Sequence, residues 1–312
     1  MSDLSDMKRS GPRVDDDADP APRDSDVELV LDESHVRGVR TIVAQAPAAD
    51  VGLLRVATFN VSQGLQRKQH HVLPWATSAD IHVLAVQEAG LCVPSNILQA
   101  CNYTMFIAPH AHAGCALFVS DALMPCVVRS HESASGRANA VVLVNGGSTS
   151  MIANVYMPTN LDRVADDSPI ASECMAVYDE VLRWAGHLPI DARVIIMGDF
   201  NETVLPRDRS EHRRGIRRNR FIRRLADAGY VDAFRACAAR QNDDGWTSFT
   251  PLPRGEVAAA RLDQIWCHGF ADNSVLDASV VAVPIRTSRR RDRAAVHPGP
   301  YRPSPTRATV AA

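Results

Sequence analysis

Between Leu53 and Met197 the chain is written in short apolar runs, LLRVATF, IHVLAV, CALFV, AVVLV, MIANVYM and RVIIM, separated by Gly, Pro, Asn and Asp. Runs this short, without a polar residue at every second position, predict strands buried on both faces. Helical spacing shows in two places. Cys174, Val177, Tyr178, Val181, Leu182 and Ala185 recur at three- and four-residue intervals, and Phe221, Ile222 and Leu225 mark a second helix that Gly229 can cap. Several strands precede the first clear helix. The order predicts an α/β fold, a layered sandwich of two mixed β-sheets flanked by helices.

Composition sets the limits of that domain. Residues 1–50 are rich in Asp, Pro, Ser and Arg and predict a disordered acidic N-terminal arm. The domain itself is expected over residues 51–300, followed by a disordered tail at 301–312. After Ile285 the chain reads RTSRRRDRAAVHPGPYRPSPTR, with no final apolar run to close a sheet. Residues 1–34 hold eleven Asp and Glu against four Lys and Arg, a charge of −7, so the remaining 278 residues carry +5 of the formal −2. A mildly basic body therefore stands behind an acidic arm, and the body is where a polyanion would bind. Seven cysteines, an odd number without a CxxC pair, predict a reduced intracellular compartment. Neither a secretion signal nor a membrane span is expected.

Polar residues recur at the carboxyl ends of the apolar runs, the rim at which an α/β sheet presents ligands. Asn60 ends LLRVATFN, Gln87 and Glu88 end IHVLAVQE, Tyr156 lies near the end of MIANVYMP, Asp199 and Asn201 end RVIIMGDFN, and Asp263 lies in ARLDQIW. One such residue alone is a turn former. Five positions in order suit phosphodiester hydrolysis, in which a hard cation such as Mg²⁺ is held by one or two carboxylates and neutralises phosphoryl charge. Glu88 suits that cation and Asn60 can steady it. Asp199 is placed to orient or deprotonate the attacking water, and the Asn201 amide to hold a non-bridging oxygen.

FN, QE, VYMP, GDFN and RLDQI, in this order over residues 55–268, resemble the successive motifs of the endonuclease/exonuclease/phosphatase superfamily, GDFN being the most specific. The resemblance implies a deoxyribonuclease-I-like sandwich using Mg²⁺ (or Mn²⁺). It makes Glu88 a metal ligand, sets Asp199 and Asn201 at the scissile phosphate, and gives Tyr156 a positioning role and Asp263 a supporting one. Within the superfamily, GDFNETVLPRDRS, the Arg-rich stretch after it, AGYVDAFRA, WTSFT and RLDQI are most similar to the endonuclease of LINE-type retrotransposons, Asp208, Arg209 and Ser210 weighing most. That likeness covers about two-thirds of the chain. It implies DNA as substrate, with RNA as the alternative, and a nuclear location.

The resemblance breaks at its end. The superfamily closes with Ser-Asp-His before an apolar strand, whereas Arg291 to Val296 keeps Asp292 and puts Arg293 where His belongs. Arg cannot accept a proton near neutral pH. His297 is the candidate substitute, and Arg293 can still bind phosphate. Three readings stay open: a nicking endonuclease, a catalytically impaired retroelement remnant that binds nucleic acid, and a cellular phosphatase or RNase of the same fold. Nine Arg between Arg207 and Arg224, against Asp208 and Glu211, can track a phosphate backbone through Arg209, Arg213 and Arg217, the alternative being a solvated helix face. His110 and His112 are expected at the surface. No P-loop, HExxH, GxSxG or Cys/His zinc spacing is present.

Overall fold

The first element is a strand in a stretch whose composition predicts disorder. The protein is described by a computed structural model covering residues 39–48, 52–62, 65–90, 96–110, 113–159, 165–211, 222–237, 240–252, 256–270 and 277–283. Strand β1 (Val39–Ala48) corrects the expected extent of the acidic arm. Eleven of the twelve Asp and Glu of that arm lie before residue 35, and the run VRTIVAQA after it is rich in β-branched residues that favour extended backbone. The acidic residues dominate the composition of residues 1–50 and mask this strand. The described elements all belong to the unit Val36–Ala312.

In chain order there follow β2 (Gly52–Asn60), α1 (Leu65–Ser78), β3 (Val83–Gln87), α2 (Asn96–Ala100), β4 (Tyr103–Ala108), β5 (Cys115–Ser120), β6 (Val127–Glu132), β7 (Ala138–Asn145) and β8 (Ser148–Tyr156). The second half contains α3 (Pro169–Gly186), β9 (Arg193–Asp199), α4 (Arg223–Asp227), β10 (Val231–Asp232), α5 (Ala233–Ala236), β11 (Ser248–Pro251), β12 (Val257–Ala260), β13 (Asp263–His268) and β14 (Asp277–Val283). All six apolar runs are strands. Helix α1 was not expected, because Gln69 interrupts its apolar face and Pro74 lies within the helix, yet Leu65, Gln69, Val72, Leu73 and Ala76 are all buried at helical spacing. A helix thus follows the first strands sooner than the apolar pattern suggested.

Two six-stranded sheets form, in the orders β14-β1-β2-β3-β5-β4 and β10-β13-β9-β8-β7-β6, with β11 and β12 as a separate hairpin. Each large sheet is antiparallel except at its middle, where β2 runs parallel to β3 and β8 parallel to β9. Both pairs are internal, and β3 and β9 are buried along nearly their whole lengths, as parallel strands covered on both faces must be. One apolar cluster joins the two sheets through residues such as Val56, Val83, Leu117, Ile152, Ile195 and Met197. Two further clusters seat α3 on the outer face of one sheet and α1 on that of the other. This is the expected sandwich.

A buried amide pair fixes how the sheets meet. Gln87 Nε2 on β3 donates to Asn154 Oδ1 on β8 (2.7 Å) and to Thr58 Oγ1 (2.9 Å), while Asn154 Nδ2 donates to the carbonyls of Val86 and Ala116 (both 3.0 Å). Both amides are wholly buried, and a buried amide that finds partners in only one arrangement specifies that arrangement. The pairing sets the carboxyl ends of β3 and β8 face to face.

Candidate active site

The parallel pairs put four carboxyl ends at one end of the sandwich. In register, Asn60 lies beside Gln87 at the end of β2 and β3, and Tyr156 beside Asp199 at the end of β8 and β9. Asp263 enters from the opposite direction at the start of β13, directly paired with Asp199. Side chains alternate along a strand, so Asn154 and Tyr156 leave β8 on the same side and Tyr156 points where the amide pair already joins the sheets.

Asn60 ties the two sheets at this rim. Its Nδ2 donates to Glu88 Oε1 (3.0 Å) and to Asp199 Oδ2 (2.8 Å), and its Oδ1 accepts from Ser62 N (2.7 Å). The Tyr156 hydroxyl donates to Glu88 Oε1 (3.0 Å). Both bonds converge on one oxygen, and Glu88 Oε2 accepts no hydrogen bond among the described residues. Asn201 N donates to Asp199 Oδ1 (3.0 Å), and Asn201 Nδ2 donates to the Met157 carbonyl (2.8 Å), leaving a second N–H of that amide. Glu88 and Asn201 both adopt left-handed backbone, at φ +56° and +50°. Such conformations are costly for residues with a Cβ and cluster where surrounding structure imposes them.

Three carboxylates share this space. Asp199 and Asp263 are 6% and 5% exposed. Burial pushes the Asp199 carboxyl up to about 6 against the hydrogen bonds from Asn60 and Asn201, and the Glu88 charge adds to the rise. Asp263 is raised well above the usual range by burial and then by Asp199, with Thr247 opposing. Its Oδ1 is buried without a partner among the described residues. Mutually repelling carboxylates and a stranded oxygen form an environment that a bound cation would relieve, so the donor set fits a divalent ion. Among the described residues no three His, Cys, Asp or Glu side chains form a ready-made cage.

Two cations border the site that the sequence did not single out. Lys68 on α1 donates to the Val61 carbonyl, and burial lowers its pKa while the Glu88 charge opposes. Arg137 lies with its guanidinium 5.3 Å from the centroid of the Tyr156 ring. Burial and the negative charges of Glu88 and Asp199 raise the Tyr156 pKa, and Arg137 opposes them. A Lys or Arg between apolar runs carries no signal of where its head group lies, and the fold alone reveals it.

Arg209, expected to track a phosphate backbone, is 9% exposed, and its Nε donates to Thr203 Oγ1 (2.7 Å). Its neighbours are interior as well. Asp208 is fully buried, and Ser210 Oγ accepts from Ala259 N (2.9 Å). Lys and Arg are rarely buried without partners, which is why a run of Arg reads as surface. Arg213, Arg217, Asp292, Arg293 and His297 lie outside the described residues. His110, expected at the surface, is half-buried with Nδ1 accepting from Ala113 N (3.0 Å), and His112 also lies outside the described residues. No helix among those described is long and apolar enough to cross a membrane.

Residues 57–282 match the model of the Endonuclease/Exonuclease/phosphatase family. The fold is similar to that of an AP endonuclease from Archaeoglobus fulgidus, 18% identical with a TM-score of 0.53, the match covering 69% of this chain and 86% of that one. It is similar also to a 3'-5' exonuclease, NExo, from Neisseria meningitidis, 17% identical with a TM-score of 0.52 over 68% of this chain and 86% of that one. A Neisseria NExo 3' phosphatase bound to a product DNA hairpin matches at 17% identity and a TM-score of 0.50, over 68% of this chain and 85% of that one. No curated protein matches the sequence.

Proposed function

Because the chain belongs to the Endonuclease/Exonuclease/phosphatase family, we propose that it is a phosphodiesterase that cuts the DNA backbone with the aid of Mg²⁺ or Mn²⁺. The single observation that carries this reading is the Asn60 amide donating to Glu88 and to Asp199 at once, which brings a carboxylate from each sheet into one site.

Glu88, held by Asn60 and Tyr156, is the carboxylate that would hold the cation, which supplies neutralisation of the charge that builds on the phosphoryl oxygens. Asp199 orients the attacking water and takes its proton. The remaining N–H of Asn201 donates to a non-bridging oxygen, and the Tyr156 hydroxyl positions the phosphate. Asp263 completes the acidic wall behind Asp199. Arg293 contacts a phosphate oxygen, with Asp292 and His297 as candidates for the residual acid–base work, and Arg213 and Arg217 track the DNA backbone. The narrower reading is a retroelement-type nicking enzyme, which carries a nuclear location with it. It is supported by the stretch from GDFN to RLDQI.

The test is nicking of supercoiled plasmid by the full chain with Mg²⁺ or Mn²⁺, beside RNA and phosphoinositide under the same conditions. Plasmid is expected to be nicked, and Glu88→Ala and Asp199→Ala are each expected to slow nicking by about 10²–10⁴-fold. Unchanged rates in both variants would overturn the assignment, and hydrolysis of RNA or phosphoinositide in place of plasmid would move it to another substrate class.

A further inference from the structure

Tyr156 is bracketed by a residue that none of the motifs contains. Arg137 holds it in three ways: its carbonyl accepts from Tyr156 N (2.8 Å), its Nη1 donates to the Tyr156 carbonyl (3.3 Å), and its guanidinium lies against the ring. The other side of the guanidinium is tied to α3, with Nε donating to Glu173 Oε1 at 2.6 Å. The backbone of Arg137 is fixed as well. It follows a tight turn in which Gly136 N donates to the Ser133 carbonyl (3.0 Å) and Ser133 Oγ accepts from Ala138 N (2.9 Å). Gly136 has φ +67° and lies so close to the 109–110 segment that an added Cβ would stand 2.6 Å from His110 Cβ.

We propose that Arg137 is a positioning residue, tethered by Glu173, that aims the Tyr156 phenol at Glu88. Arg137 makes no hydrogen bond to Glu88, Asp199 or Asn201, so its effect on the site passes through Tyr156. The guanidinium suits the task because one planar fork serves a carboxylate, a carbonyl and an aromatic face together, whereas a lysine ammonium is a point charge on a flexible stem. For its activity arm, this inference rests on the phosphodiesterase reading above.

The experiment uses the full chain labelled with 3-fluorotyrosine, in which the Tyr156 resonance is identified by its absence from Tyr156→Phe. Arg137→Met is expected to shift and broaden that resonance while the other four tyrosines stay in place. In plasmid nicking, kcat is expected to fall by about 10- to 100-fold, with KM changed by less than about twofold. Arg137→Lys should recover part of the rate, and Arg137→Met combined with Tyr156→Phe should be no slower than Tyr156→Phe alone, because the two changes remove one interaction. Should Arg137→Met fail to fold, Glu173→Gln releases the tether from its half-exposed end and should act in the same direction to a smaller extent. An unmoved Tyr156 resonance, or losses that multiply in the double variant, would overturn the proposal. Absence of nicking by the unsubstituted chain would sink the phosphodiesterase reading instead, and the fluorine resonance would still decide on Arg137.

Discussion

Gly198, the glycine of GDFN, stands where no side chain fits. It pairs with Val155 across the parallel β8–β9 junction, at φ +152°, and an added Cβ would lie 1.9 Å from the Val155 carbonyl oxygen. The obstacle is backbone, which cannot swing aside. Gly198→Ala is therefore expected to cost about 3 kcal/mol, the upper end for overpacking, measured as a lowered midpoint in urea unfolding. Nicking should fall with it, because Asp199 and its Asn60 contact sit on the displaced backbone. Residue identities at this scale were legible: Asn60, Glu88, Tyr156, Asp199 and Asn201 stand out as polar residues at or near the ends of apolar runs, and Asp263 lies in RLDQI. Arg137 and Lys68 were not. Their importance comes from what their head groups reach, and spacing along the chain does not encode that.

Helix α3 shows how far local rules carry at the scale of the element. Its N-cap is Ser168, whose Oγ accepts from Ala171 N (3.1 Å), with Pro169 in the first turn, where a missing N–H is harmless. Ser168→Ala is expected to cost about 1 kcal/mol and Ser168→Asp to be nearly neutral, read from thermal unfolding. The six strands written as continuous apolar runs were equally legible, and so was α4, beyond whose C-cap Gly229 stands in the left-handed region. Elements that mix apolar with polar positions were not. Strand β6 lies at a sheet edge with four of its six residues exposed, so burial imposes no apolar run on it. Helix α1 buries Gln69 within its apolar face, and β1 lies directly behind an acidic segment whose composition outweighed it.

Charge burial operates at the scale of the whole molecule. Arg261 is fully buried between two carboxylates, with Nη2 donating to Asp232 Oδ2 (2.6 Å) and Nε to Asp208 Oδ1 (3.2 Å), and Arg235 also donates to Asp208. Asp208 follows β9 by a loop, Asp232 ends β10, and Arg261 joins β12 to β13, so the network binds distant segments. Burial alone would raise the Asp208 pKa, but the Arg261 charge and hydrogen bonds from Arg261, Arg235 and Leu205 N overcome it and hold the carboxyl below its ordinary value. A carboxyl depressed in the folded state contributes stability that is present above its unfolded pKa of about 3.9 and is lost as pH falls through the folded value. Unfolding followed from pH 5 downward is therefore expected to show a loss of stability below about pH 4. Asp208→Asn should weaken that acid dependence and cost about 3–5 kcal/mol at neutral pH, because it breaks a buried pair from one side. An acid profile equal to that of the unsubstituted chain would discount the network. Asp208, Arg209 and Ser210 are all buried, so these three positions belong to the wall of the fold. The sequence by itself determined the family, the sandwich of mixed sheets and the polar residues at the strand ends, because apolar runs and strand termini are local properties of the chain. Only the tertiary structure decided that Asn60 bridges the sheets, that Arg209 is interior and that Arg137 grips Tyr156, because each depends on which distant segments the Gln87–Asn154 pair and the buried charges bring together.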